Sequence, residues 1–231
     1  VITDALLKAD ASVPAPVFED LLGKLGLEPG GALWDRFMND GITLPPNLVV
    51  MGTVNMDETT HSFSRKVLDR AMTFEMNEVD LRGGLGQEDE GWRYPETPLA
   101  PNWVLGTVTR GGEVPPTTEG YNETLDWLEK MNREVLEGTP FKVAYRVRDE
   151  YLAYVFHNAQ LAAKPKEWLA TCLDELLVMK VLSRIEGDEG KVKDVLDKLL
   201  ALVPEQWPHS TRKLKEMKAR LERSGYTSFW S

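Results

Sequence analysis

Asn55 is the residue whose type and position most suggest chemistry. It closes an apolar run, Leu48-Val49-Val50-Met51, that continues through Gly52-Thr53-Val54. An apolar strand ending in a polar side chain is how open α/β sheets deliver groups to a ligand crevice. An amide both donates and accepts, so Asn55 can hold a water against a phosphate without adding charge. The same residue also reads as a turn asparagine bonding its own backbone. Asp57, Glu58 and His61 follow, but the third strong ligand that a metal centre needs at fixed spacing is missing. His157 and His209 read as structural or exposed. Cys172 falls on the apolar face of a helical pattern and reads as core, not nucleophile.

Phosphate-binding signatures are missing from these residues. No Gly-x-x-x-x-Gly-Lys-Ser/Thr occurs; Gly23-Lys24 and Gly190-Lys191 lack the upstream glycine. Asp174-Glu175 is a magnesium-type pair by composition, yet it falls inside a helical pattern and not at a strand end. By the usual route, then, the chain neither cradles phosphates nor holds Mg²⁺.

The elements that must position these residues fall into four stretches. Residues 1–46 read as short helices broken by turns, with Phe18, Leu21, Leu22 and Leu25 at helical spacing before Gly26, and Trp34, Phe37 and Met38 before Gly41. Residues 47–80 hold a buried-strand pattern at 48–54, a short helix from Phe63 to Ala71 and a second short strand at 71–76. Residues 81–120 are rich in Gly and Pro and read as an insertion, with a minor strand at Trp103-Val104-Leu105. Residues 121–231 carry five amphipathic helical patterns. The third starts at Pro165, Asp188 caps the fourth, Ser210 caps the fifth, and Gly225 lies past its end. The fold class expected is mainly α with a minor β part.

The chain has 231 residues, 42% hydrophobic and 28% charged, with a net charge of −10. That charge argues against wrapping nucleic acid, which rests on neutralising phosphates. The last helical pattern is a local exception, with Arg212, Lys213, Lys215, Lys218, Arg220 and Arg223; it reads as a solvated face or as a contact for DNA or an acidic neighbour. The seven Trp residues fit packing better than base stacking, since they do not interleave with basic residues. A single cysteine excludes an intrachain disulfide, no run approaches the roughly 20 apolar residues of a membrane span, and the expected compartment is cytoplasmic. The chain does not begin with Met and is expected to be a fragment or a processed product.

Residues 48–71 read LVVMGTVNMDETTHSFSRKVLDRA. This block closely resembles the second half of the AAA+ module of McrB-type proteins, the nucleotide-driven subunits of 5-methylcytosine restriction systems. FKVAYRVRDE at 141–150, LDELLVMKVL at 173–182 and GYTSFW at 225–230 resemble lid features of the same family. The likeness covers 45–76 most closely and 121–231 more loosely; it does not reach 1–40 or 81–120. It implies that Asn55 is sensor 1, positioning the attacking water, and that Arg70 is the arginine finger reaching a neighbouring subunit's nucleotide. A planar, permanently charged guanidinium suits the charge that spreads over a transferring phosphoryl group. Arg65 can share that role, and Arg146 matches sensor 2, contacting phosphate within its own subunit. Glu58 stands where the family has Asp, which alters the reach of that carboxylate. Outside the resemblance, Arg70 can simply pair with Asp69 or Glu75.

The resemblance further implies the C-terminal part of an AAA+ α/β core at 1–80, the insertion at 81–120 and a helical lid at 121–231. The whole protein would be a homo-oligomeric ring using ATP or GTP with Mg²⁺, working with an McrC-like nuclease subunit and meeting DNA through regions outside this chain. The fragment itself, with the finger face and no complete pocket, is expected to be monomeric. The alternative is a non-catalytic helical module that binds a protein partner. In the AAA+ sheet another strand lies between those expected at 48–54 and 71–76. Without it the two should be displaced and unpaired, or residues 1–46 or another chain should fill the gap.

Overall fold

A computed structural model describes residues 15–41, 50–54, 63–76, 81, 110–161 and 164–230. The chain divides into two compact units, Val1–Gly52 with Thr97–Leu105 and Thr53–Glu96 with Gly106–Ser231. The first contains α1 (Ala15–Lys24) and α2 (Ala32–Asp40). Leu22 is buried, while Trp34, Phe37 and Met38 are half-buried. Gly26 stops the first helix and Gly41 the second, at φ 73° and 80°, a conformation that favours glycine.

The second unit is built on helices. Its elements are α3 (Arg65–Leu68), α4 (Tyr121–Met131), α5 (Tyr145–Ala159), α6 (Trp168–Leu176), β1 (Glu186–Asp188), α7 (Glu189–Leu202), α8 (Pro208–Ser224) and β2 (Tyr226–Ser228). Wide, π-type turns prolong α4 over Asn132–Leu136 and α6 over Leu177–Val181. Each long helix buries one stripe: Leu128, Met131 and Val135; Val147, Tyr151, Leu152 and Val155; Leu173, Leu176 and Leu177; Val192, Val195, Leu196 and Leu199; Leu214, Met217 and Leu221. Most of these residues join in one core with Phe141, Trp207 and Phe229, while Val155 packs in a smaller cluster with Trp168 and Cys172. Spacings of three and four residues put such side chains on one helical face.

Several caps fix where these helices start and stop. Asp188 Oδ1 accepts from Lys191 N at 3.1 Å at the head of α7, and Gly225, at φ 72°, closes α8 with its N–H on Leu221 O at 2.8 Å. The α8 N-terminus is capped from another helix. Both oxygens of the buried Asp174 on α6 accept from it, Ser210 N at 2.7 Å and His209 N at 3.0 Å, and Ser210 Oγ donates back to Asp174 O. Asn132 bonds the Val143 backbone in both directions, at 2.9 and 3.0 Å, which sets the entry into α5. Packing reaches back to residue 111. A Cβ on Gly111 would stand 2.7 Å from Asp149 Cα, so no larger residue fits there without a shift of α5.

The described residues are mainly helical, and their only sheet is the antiparallel pair β1–β2, with Glu186 opposite Ser228, Gly187 opposite Thr227 and Asp188 opposite Tyr226. The strand expected at 71–76 is absent: residues 72–76 have no regular secondary structure, and neither have residues 50–54 of the strand expected at 48–54. A strand needs a neighbour for its N–H and C=O groups, and among the described residues neither run has one. The helix expected from Phe63 to Ala71 shortens to Arg65–Leu68. The helix expected from Pro165 starts at Trp168, whose N–H closes a turn on Pro165 O. Ser210 is not the N-cap of the last helix but lies in its first turn, because Pro208 opens it and Asp174 caps it. Trp103–Leu105 and the start of the 48–54 run lie outside the described residues.

The α8 cap should matter more than the α7 cap. Asp188→Ala is expected to cost about 1 kcal/mol, the usual worth of an exposed N-cap. Asp174→Ala should cost about 2–3 kcal/mol, because it leaves buried donors without a charged acceptor. Urea denaturation of both variants checks the order; equal losses would contradict it.

Candidate functional site

Asn55 and Glu58, with Asp57 and His61, lie outside the described residues, as does the side chain of Arg65, whose backbone opens α3. Arg70 is described. It follows the single turn of α3, with its N–H on Val67 O at 2.9 Å, and its side chain is exposed.

The segment carrying Arg70 is held to the helices by side chains instead of a ladder. The Phe63 ring meets Trp230 edge-on at 5.8 Å, and Leu68 is buried. Asp69 pairs with Arg184 at 3.1 Å. Ala71 O accepts from Lys180 Nζ at 2.8 Å. Thr73 Oγ1 donates to Met179 O at 2.8 Å, inside the wide turn after α6. Both Glu75 oxygens accept from Lys213 Nζ, at 2.7 and 2.6 Å. Odd-numbered residues therefore face the helices, while Met72, Phe74 and Met76 face outward, Phe74 with 68% and Met76 with 86% exposure. Asp69 and Glu75, the acidic neighbours that would otherwise pair with Arg70, are both engaged elsewhere.

Arg146 sits in the first turn of α5, exposed, next to the exposed Tyr145, over whose ring Arg148 lies at 4.9 Å. Glu150 stands one turn further on and pairs with Lys180 Nζ at 2.7 Å. Burial pushes the Glu150 carboxyl above its ordinary range; the Lys180 bond and charge and the Arg146 charge pull the other way, while Asp69 adds to the rise. Glu150 thus feels both the Arg146 turn and the Asp69 turn. Lys180, with no exposed side-chain surface, touches α5 and the Arg70 segment at once. Sequence reasoning missed it, although a lysine at the core position of LDELLVMKVL, level with Leu173, Leu176 and Leu177, was the available signal.

The acidic pair Asp174-Glu175 does not fit a magnesium ion. Asp174 caps α8 with both oxygens, and Glu175 accepts from Tyr154 Oη at 2.7 Å. Among the described residues no group of three acidic, histidine or cysteine side chains is placed to hold a metal. Cys172 is buried, and burial followed by the Glu175 charge raises its thiol to about 11, as befits a core residue. Among the described residues no helix is long and apolar enough to cross a membrane.

The raised Glu150 carboxyl has a pH signature. Folding takes up a proton between the ordinary glutamate value and the raised one, so this contribution to stability is present at low pH and lost as pH rises through that window. Relative to wild type, Glu150→Gln should gain stability as pH rises across it. Urea midpoints from pH 4 to 8 read the difference; a variant that loses ground with rising pH would contradict the assignment.

No curated protein and no solved structure matches this chain. A family model does, over residues 110–226, just over half of the 231 residues. That stretch runs from the turn at Gly111 through α8 and includes Arg146, Glu150, Lys180, Arg184 and Lys213. By this match the chain belongs to the family described as Domain of unknown function (DUF8727).

Proposed function

We propose that this chain supplies the finger and lid of a McrB-type AAA+ nucleotidase. The parent protein would form a ring, hydrolyse ATP or GTP between subunits and drive an McrC-like nuclease partner against DNA. The nucleotide cradle and the DNA contacts belong, in this reading, to residues outside these 231. The 48–71 block motivates the proposal. The observation that carries it is that Arg70 is exposed while Asp69 and Glu75 are bound by Arg184 and Lys213. An arginine meant to meet a neighbour's phosphates must not be neutralised at home, and a rigid base lets its charge act without reorganisation. Asn55 would hold the attacking water, with Glu58 nearby; Arg65 would support Arg70, and Arg146 would meet phosphate in its own subunit.

A second reading is a non-catalytic helical module that binds a protein partner. It is favoured by the outward apolar row of Met72, Phe74 and Met76, three exposed hydrophobic side chains on one face.

Turnover separates the two. In the full polypeptide, Arg70→Ala should leave assembly and nucleotide binding intact and cut turnover ~10³–10⁵-fold, the range for arginine fingers. Turnover within a few-fold of wild type would remove Arg70 from the mechanism and promote Arg65. Asn55→Ala should lower turnover more than affinity at an unchanged melting temperature. A lower melting temperature with normal turnover per folded molecule would make Asn55 a turn residue.

A further inference from the structure

Among the described residues, Lys180 is the one cation with no exposure, and its position is a core position of α6 and its extension. Its ammonium reaches Glu150 Oε2 at 2.7 Å and Ala71 O at 2.8 Å. The first partner lies one turn past Arg146 on α5. The second is the carbonyl of the residue directly after Arg70. Arg184 on Asp69 and Lys213 on Glu75 hold the segment on either side.

We infer that Lys180 is a positioning residue for Arg70, clamping residues 69–75 to the helical domain so that Arg70 and the Arg146 helix move as one body. The inference rests on the reading of Arg70 as the finger. A buried ammonium must keep its acceptors, so lifting the segment away would strip Lys180 of one of them. Arg70 is therefore aimed by the helices of its own subunit. Anything that tilts α5, including phosphate meeting Arg146, carries the finger with it. The arrangement couples a contact made within one subunit to one offered to the next.

The test compares Lys180→Met with the double variant Lys180→Met/Glu150→Gln in the full polypeptide. The double variant leaves no unpaired buried charge, so the helices should stay folded even where the single variant falters. Hydrogen–deuterium exchange is read at amides 69–76 and in α4 to α8, with kcat and KM from steady-state turnover. The expected result is faster exchange at 69–76 with unchanged protection in the helices. With it, kcat should fall about 10²-fold, the scale of a small misplacement of a reacting group, at constant KM. Adding Arg70→Ala should bring kcat only to the level of Arg70→Ala alone. Unchanged exchange at 69–76, or losses that multiply in the Arg70→Ala background, would overturn the proposal. If Arg70→Ala alone leaves turnover normal, the finger reading fails, and the exchange data still decide whether Lys180 clamps the segment.

Discussion

Taking a lysine ammonium out of water costs several kcal/mol even after the protein relaxes, and Lys180 is wholly out of water. Such a charge is tolerated only where its donors meet good acceptors. Here Lys180 forms an ion pair with a carboxylate on α5 and donates to a backbone carbonyl of an otherwise irregular segment. The helices alone supply Glu150; the segment must dock to supply Ala71. A single buried group thus ties a stretch without secondary structure to the helices. The neighbouring Met179 carbonyl, in the same wide turn, takes the Thr73 hydroxyl, so the irregular end of α6 presents both a donor and an acceptor to the segment. Helix ends and distorted turns leave backbone groups that side chains or other segments must satisfy.

Residues 71–76 show what becomes of a strand pattern that lacks a partner strand. The alternation with a period of two is real: Ala71, Thr73 and Glu75 point one way, Met72, Phe74 and Met76 the other. What is missing is the ladder. The tethers come from Lys180, Met179 and Lys213, groups spread along α6 and α8, and they grip one face without pairing the backbone edge. Periodicity encodes which side chains share a face, but a neighbouring strand decides whether that face becomes a sheet. Among the described residues the strands that form, β1 and β2, are three residues each and join the ends of two helices, Glu186–Asp188 leading into α7 and Tyr226–Ser228 leaving α8.

Legibility in the sequence followed the range of the interaction. The apolar stripes of α4 to α8, the Asp188 cap and the Gly225 stop are written within a few residues, and all could be read. Asp174 capping α8 spans 36 positions, and Lys180 reaching Ala71 spans 109, so neither left a local mark. Proline at 165 suggested a helix start that Trp168 takes instead, because a helix-compatible φ does not by itself commit the following turn. In the candidate site, Arg70 is singled out by the block around it, while the diversion of Asp69 and Glu75 to distant cations left no mark in the sequence. Arg146 falls in the first turn of α5, the helix whose stripe the sequence marks. Its link to Arg70 through Glu150 and Lys180 is tertiary and was invisible.

The cations of α8 bear on where nucleic acid would be met. The sequence offers Arg212, Lys213, Lys215, Lys218, Arg220 and Arg223 on a chain of net charge −10. Lys213 is committed to Glu75 and lies over the Phe229 ring at 4.2 Å. Lys218 meets Asp197 on α7 at 2.5 Å, Arg220 donates to Ser228 O at 2.7 Å, and Arg212 approaches Glu216 at 4.0 Å. Affinity for a duplex comes from exchanging condensed counterions for protein cations, and cations already matched within the domain contribute little to that exchange. Three of these cations serve internal joints: Lys213 to the Arg70 segment, Lys218 to α7 and Arg220 to β2. By composition α8 looks like a nucleic-acid contact, yet Lys213, Lys218 and Arg220 work as anchors within the domain, while Lys215 and Arg223 are exposed.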